Sequence, residues 1–267
     1  MKRSSGVRGA ATVTVGVLSF ALVTGCGGGS GDAKGSKEPS ASGTSGGQAA
    51  KALSAAELKK AIIAQGDVDG YKVDASGKQL PKSKDQIKSS DTKCLPLAYA
   101  MGGLAPGDAT AATAVMATQE KKPSADASKS LEDLSEGEVA DSLTAAMSLN
   151  MTVVGLSSYD GEGAARTFKS VSDGVRNCSG GFPLAMQGTD QKLTGITEEK
   201  SSGTGDESVA FTAVSKQGGD VATTHVEVVR QGGTIATYYT IDIGLMMTDK
   251  PYAVPADLVK AQAAKLK

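Results

Sequence analysis

The chain has 267 residues, with 28 Lys and Arg against 29 Asp and Glu, a formal charge of −1. No basic run stands out, which argues against nucleic acid as a partner. With ten aromatics, no Trp and three cysteines, the folded part must build its core mainly from aliphatic side chains.

The first residues read as an export signal. Lys2, Arg3 and Arg8 form a positive start with no acid, and Ala10 to Val23 is an uncharged, mostly apolar stretch of fourteen residues. A bilayer-spanning helix needs about 20, so residues 1–25 fit a cleaved secretory signal peptide. Val23-Thr24-Gly25-Cys26 follows, and it resembles the lipobox of bacterial lipoproteins. That resemblance implies lipidation at Cys26, with several acyl chains holding the protein to the outer face of the cell membrane. An ordinary signal peptide with an accidental Cys is the alternative.

Residues 26–52 then read as the lipidated Cys and a disordered tether. Thirteen of the 26 residues at 27–52 are Gly or Ser, and none is aromatic, Val, Ile or Leu. Such a segment cannot bury enough apolar surface to order itself. Its root-mean-square reach is roughly 28 Å. Residues 53–267 are long enough for one ordinary domain with a real core. No second long apolar segment follows the signal, so this part is expected to be soluble and extracytoplasmic.

Lipidation of Cys26 leaves Cys94 and Cys178. In an oxidising compartment such a pair forms a disulfide, here closing a loop of 84 residues. Two free thiols, or a catalytic Cys served by His225, are the alternatives; no nucleophile signature surrounds either cysteine.

Within the domain, Ser54-Ala-Ala-Glu57 is a capping box. Leu58, Ala61 and Ile62 recur at helical spacing, with Gly66 placed to end the helix. A short strand is expected at Tyr71 to Ala75, loop at 78–91, a strand at Thr113 to Thr118, and loop or weak helix at 119–138. Met147, Leu149, Met151 and Val153 alternate, predicting a strand that runs to about Tyr159. Asp160 is placed to cap the next helix, where Ala164, Phe168, Val171, Val175 and Cys178 share one face. Strands are expected at 184–186, 192–198, 207–215 and 221–230. Gly232-Gly233 then reads as a hairpin loop that pairs Gln231 with Thr234, Val228 with Thr237 and Val226 with Tyr239. In that register His225, Glu227, Tyr238, Thr240 and Asp242 point away from the apolar face. Pro255 opens a last helix, with Leu258, Val259, Ala263 and Leu266 facing inward. The fold class is α+β: a single domain with an antiparallel sheet and helices packed on one face.

Strand 147–159 ending in Tyr159, the Ala164-Ala165-x-x-Phe168 helix, the Val175-Arg-Asn-Cys178-Ser-Gly180 helix end and the terminal helix of Leu258, Val259, Ala261, Gln262 and Lys265 form a pattern. It resembles the family of PknH-like extracellular sensor domains, carried by a mycobacterial serine/threonine kinase and by actinobacterial lipoproteins. The resemblance covers roughly 147–267 and, at its widest, reaches back to Leu53. It implies an antiparallel sheet flanked by helices, a ligand cleft and no catalysis. Members often carry two disulfides and a Trp before the helix-end Cys; this chain has cysteines for one disulfide and no Trp, so no ligand residues carry over.

Among residues with chemistry, His225 stands beside Glu227, across from Thr240 and near Asp242. A lone His with carboxylates suits a metal or a general base, and a solvated strand position is the plainer reading. Gly66-Asp-Val-Asp-Gly70 looks like a calcium loop, but no Glu stands where an EF-hand needs it. No zinc spacing and no Gly-x-Ser-x-Gly occurs. The expected function is a non-catalytic, sensor-like module at the cell surface, with no cofactor and no metal. It would take a small apolar or amphipathic ligand in a cleft lined by Met147, Met151, Met186, Met246 and Met247, or an envelope protein. An envelope hydrolase or metal-dependent enzyme built on His225 is the alternative.

Overall fold

The computed structural model describes residues 51–120, 135–217, 220–248 and 250–267. The expected signal peptide, Cys26 and the tether up to residue 50 lie outside the described residues. The capping box forms as read: Ser54 Oγ accepts from Glu57 N–H, and the Glu57 carboxylate accepts from Ser54 N–H, opening α1 (Ala55–Ala61). The helix ends at Ile62, earlier than Gly66, because a side chain from the far end of the chain captures its last backbone groups.

Among the described residues, nine strands make one antiparallel sheet. They are β1 (Tyr71–Asp74), β2 (Ile87–Lys88), β3 (Ala111–Gln119), β4 (Asn150–Ser158), β5 (Pro183–Met186), β6 (Thr189–Glu199), β7 (Glu207–Gln217), β8 (Asp220–Gln231) and β9 (Thr234–Asp242), in the order β1-β3-β4-β9-β8-β7-β6-β5-β2. The remaining helices are α2 (Leu95–Met101), α3 (Glu136–Met147), α4 (Gly163–Asn177) and α5 (Ala256–Ala264). The α+β class and the β8–β9 register are those expected, with Gln231 opposite Thr234, Val228 opposite Thr237 and Val226 opposite Tyr239.

Helices cover both faces of the sheet, not one. Successive strand residues point to opposite sides, and Val228 and Val229 join different cores. On the first face, Leu97 and Met101 of α2 and Phe168, Val171 and Val175 of α4 pack on Phe211, Val226, Val228 and Ile235. On the second, Leu58, Leu258 and Val259 of α1 and α5 pack on Val115, Val154, Leu156, Val229, Ala236 and Tyr238. The second face escaped the sequence because its β8 and β9 residues interleave Val229, Ala236 and Tyr238 with His, Glu, Thr and Asp. That pattern reads as a wet face.

The first face is tied by Cys94–Cys178, whose Cα atoms lie 6.0 Å apart. The bridge joins the start of α2 to the end of α4, and the α4 stripe is buried as read from its spacing. Two local expectations fail. Met147 closes α3 rather than starting a strand: the bond from Ser148 N–H to Thr144 O carries the helix on, and Met147 is 50 % exposed. Asp160 does not cap α4. Its carboxylate accepts instead from Ala52 N–H (3.0 Å) and Thr110 Oγ (2.9 Å), and those two bonds hold its pKa below the usual carboxylate range.

Candidate functional site

His225 lies on the second face and is 9 % exposed, so it is a buried strand residue and not a solvated one. Its partner is not Glu227 or Asp242. Nδ1 stands 3.0 and 3.1 Å from the two carboxylate oxygens of Glu199 on β6, two strands away. Tyr252, from the segment between β9 and α5, meets the imidazole edge-on with ring centres 4.3 Å apart. The Tyr252 hydroxyl donates to Thr223 O, and burial pushes its pKa up.

Glu227 is buried at 4 % and accepts from the backbone N–H and hydroxyl of Ser202. Asp242 accepts from Ser148 Oγ (2.7 Å) and from the N–H groups of Gly244 and Leu245, so it folds the turn after β9. Thr152 and Thr240 share a hydroxyl hydrogen bond of 2.9 Å. The carboxylates named beside His225 are thus spent on backbone and hydroxyl donors. Glu199 orients the ring and leaves Nε2 without a partner among the described residues. Spacing along β8 and β9 could not reveal Glu199, because the contact depends on how β6 registers through β7.

Two of the surface hollows lie beside α2 and beside α4. The larger, about 510 Å³, is an open groove between β2 and α2, lined by Lys84, Asp85, Ile87, Lys88, Ser89, Leu95 and Tyr99. It exists because the far edge of the sheet reaches α2. A Cβ on Gly102 would stand 2.4 Å from Ile87 Cδ1, so a larger residue there would push the Ile87 side chain aside. Lys84 fastens the wall: its ammonium donates to Gly107 O at 2.9 Å, pairs with Asp108 at 3.6 Å and lies 4.9 Å above the Tyr99 ring. The smaller hollow, about 260 Å³, lies against α4 with Asp108, Tyr159, Arg166 and Thr167 in its lining.

None of the five methionines expected to line a cleft lines either hollow. Met147 and Met247 are exposed, and Met151, Met186 and Met246 are half-buried. The groove residues escaped the sequence because 78–91 read as polar loop; Ile87, an apolar residue in that run, was the available signal. Within the calcium-like stretch, Asp67 pairs with Lys265 and accepts from Ala64 N–H, so the segment is a turn fastened to the C-terminal helix.

No family model matches the chain, and no curated protein matches it. Among solved structures, the extracellular domain of PknH from Mycobacterium tuberculosis is similar to it, with a TM-score of 0.44 and 9 % identity over 81 % of this chain and 95 % of that one. At this divergence no residue role passes from that domain to this chain.

Proposed function

We propose that the chain is a cell-surface lipoprotein, anchored through Cys26, whose folded domain binds a partner without catalysis at the groove between β2 and α2. The groove carries this reading. It is open, it mixes two lysines, Asp85 and Ser89 with Ile87, Leu95 and Tyr99, and its wall is pinned by Lys84. An open mixed surface of this kind suits a protein segment better than a small apolar guest. The ordered start of the sequence supports export and anchoring, and the Cys94–Cys178 bridge suits an oxidising compartment.

A photo-reactive residue in place of Lys88 in the lipidated full chain tests the site. It should trap one envelope protein that a probe in place of Lys169, on α4, does not. Equal yields at both positions, or none at Lys88, would remove the reading. Cys26→Ser should release the chain from the membrane fraction or leave the precursor uncut; normal processing with full membrane retention would contradict the anchor.

The Glu199-oriented imidazole of His225 supports a second reading, a hydrolytic function on the second face. Turnover of ester or cell-wall fragments that vanishes in His225→Asn, with unfolding unchanged, would move the function there.

A further inference from the structure

We infer that the outer edge of β2 accepts an extended, acidic segment of a partner protein as an added strand, laid in the groove against α2. This rests on the groove being the binding surface and names what it binds. The ladder between β2 and β5 supplies the first argument. Gln187 N–H donates to Gln86 O at 2.8 Å, and Ile87 and Lys88 stand opposite Met186 and Ala185. In an antiparallel ladder, residues bonded to the neighbour alternate with residues whose backbone faces away. Gln86 and Lys88 therefore face β5, and Ile87 and Ser89 face the free edge. Ile87 N–H turns back to Lys84 O. Ile87 C=O and Ser89 N–H remain without partners among the described residues, one acceptor and one donor spaced as a strand presents them. An extended backbone is the ligand that matches both.

The lining supplies the second argument. Leu95 and Tyr99 stand one helical turn apart on α2 and share a face. With Ile87 they offer apolar seats to alternate side chains of an added strand, whose side-chain period is two.

Charge supplies the third. Residues 78–93 hold five lysines and two aspartates within a chain of formal charge −1. Lys78, Lys82, Lys88 and Lys93 are exposed. Lys88 stands at the edge itself, without an ion-pair partner among the described residues. Asp85 also lines the groove and leaves the local sign positive. A short edge bearing a lysine resists indiscriminate pairing. It admits a strand that brings the opposite charge, so the recognised segment alternates apolar residues with Asp or Glu.

Displayed random peptides panned against the full chain in detergent micelles test this. The enriched peptides should alternate apolar and acidic residues. Their affinity should fall about tenfold in Lys88→Glu and in Ser89→Pro, which removes the edge donor, and should hold in Lys169→Glu. Because Ser89→Pro can disturb folding, N-methylation of alternate peptide residues, tested on the unaltered protein, provides the second probe. One N-methyl register should abolish binding and the other should spare it. No enrichment, enrichment without acidic residues, or binding indifferent to N-methylation would overturn strand addition. A photo-adduct in place of Lys88 alongside any of those results would leave the partner-binding reading standing by itself.

Discussion

The two faces of the sheet are built on different principles. On the first, α4 lays one apolar stripe over Phe211, Val226 and Val228, and a disulfide locks it to α2. On the second, apolar packing under α1 and α5 runs into a bed of buried polar groups: Thr152, His225, Glu227, Thr240, Asp242 and Gln262. Each of these is answered by a hydrogen bond. Burying such groups costs free energy unless every partner is supplied. The first face is therefore held by area and covalent constraint, and the second by a smaller apolar core joined to paired polar groups. Substitutions should separate the two.

The largest effect belongs to the first face. Replacing Cys94 and Cys178 together by Ser should lower unfolding stability by about 4 kcal/mol on the chain-entropy account of an 84-residue loop. Urea unfolding of the oxidised protein beside the variant measures it, and a loss under about 1 kcal/mol would contradict the role given to the bridge.

Gln262 gives the sharpest test of the second face. Its Oε1 accepts from Ile63 N–H at 2.9 Å, and its Nε2 donates to Ala61 O at 2.8 Å. A fully buried side chain of α5 thus finishes the end of α1. Gln262→Leu keeps the apolar bulk but strands two backbone groups, at about 2 kcal/mol in all. An unchanged midpoint in the same urea series would show that pairing does not hold this face.

The smallest effect is electrostatic. The bond from Lys265, with that from Ala64 N–H, holds Asp67 below its ordinary 3.8. A carboxylate with a depressed folded pKa adds stability above the unfolded value and loses it as pH falls through the folded one. The side chains of the pair are 27 % and 33 % exposed, so screening keeps the contribution at about 0.5 kcal/mol. Asp67→Asn should fall short of the unaltered chain by that amount at pH 7, and the gap should close below pH 3.8. A gap that widens in acid would reverse the assignment.

What could be read from the sequence divides along the same line. The α4 stripe, the capping box at Ser54, the Gly232-Gly233 hairpin and the Cys94–Cys178 pair are local patterns or follow from compartment, and each recurs in the structure. The second face was misread because a buried Glu or His looks solvated until its partner is known. Those partners are remote: Glu199 for His225, Ser202 for Glu227, and Gln262 for Ala61 and Ile63. The groove was hidden for a related reason. A two-residue strand at Ile87 and Lys88 leaves no periodicity, and its importance comes from the sheet edge meeting α2.

Amide hydrogen exchange of the full chain in isolated envelopes, against the same chain purified in detergent, tests the central claim most directly. Added protection at Ile87, Lys88 and Ser89 and through α2, with no change around His225 and Glu199, is the expected result. Protection centred on His225, Glu199 and Tyr252, or an identical pattern in both preparations, would contradict recognition at the β2–α2 groove.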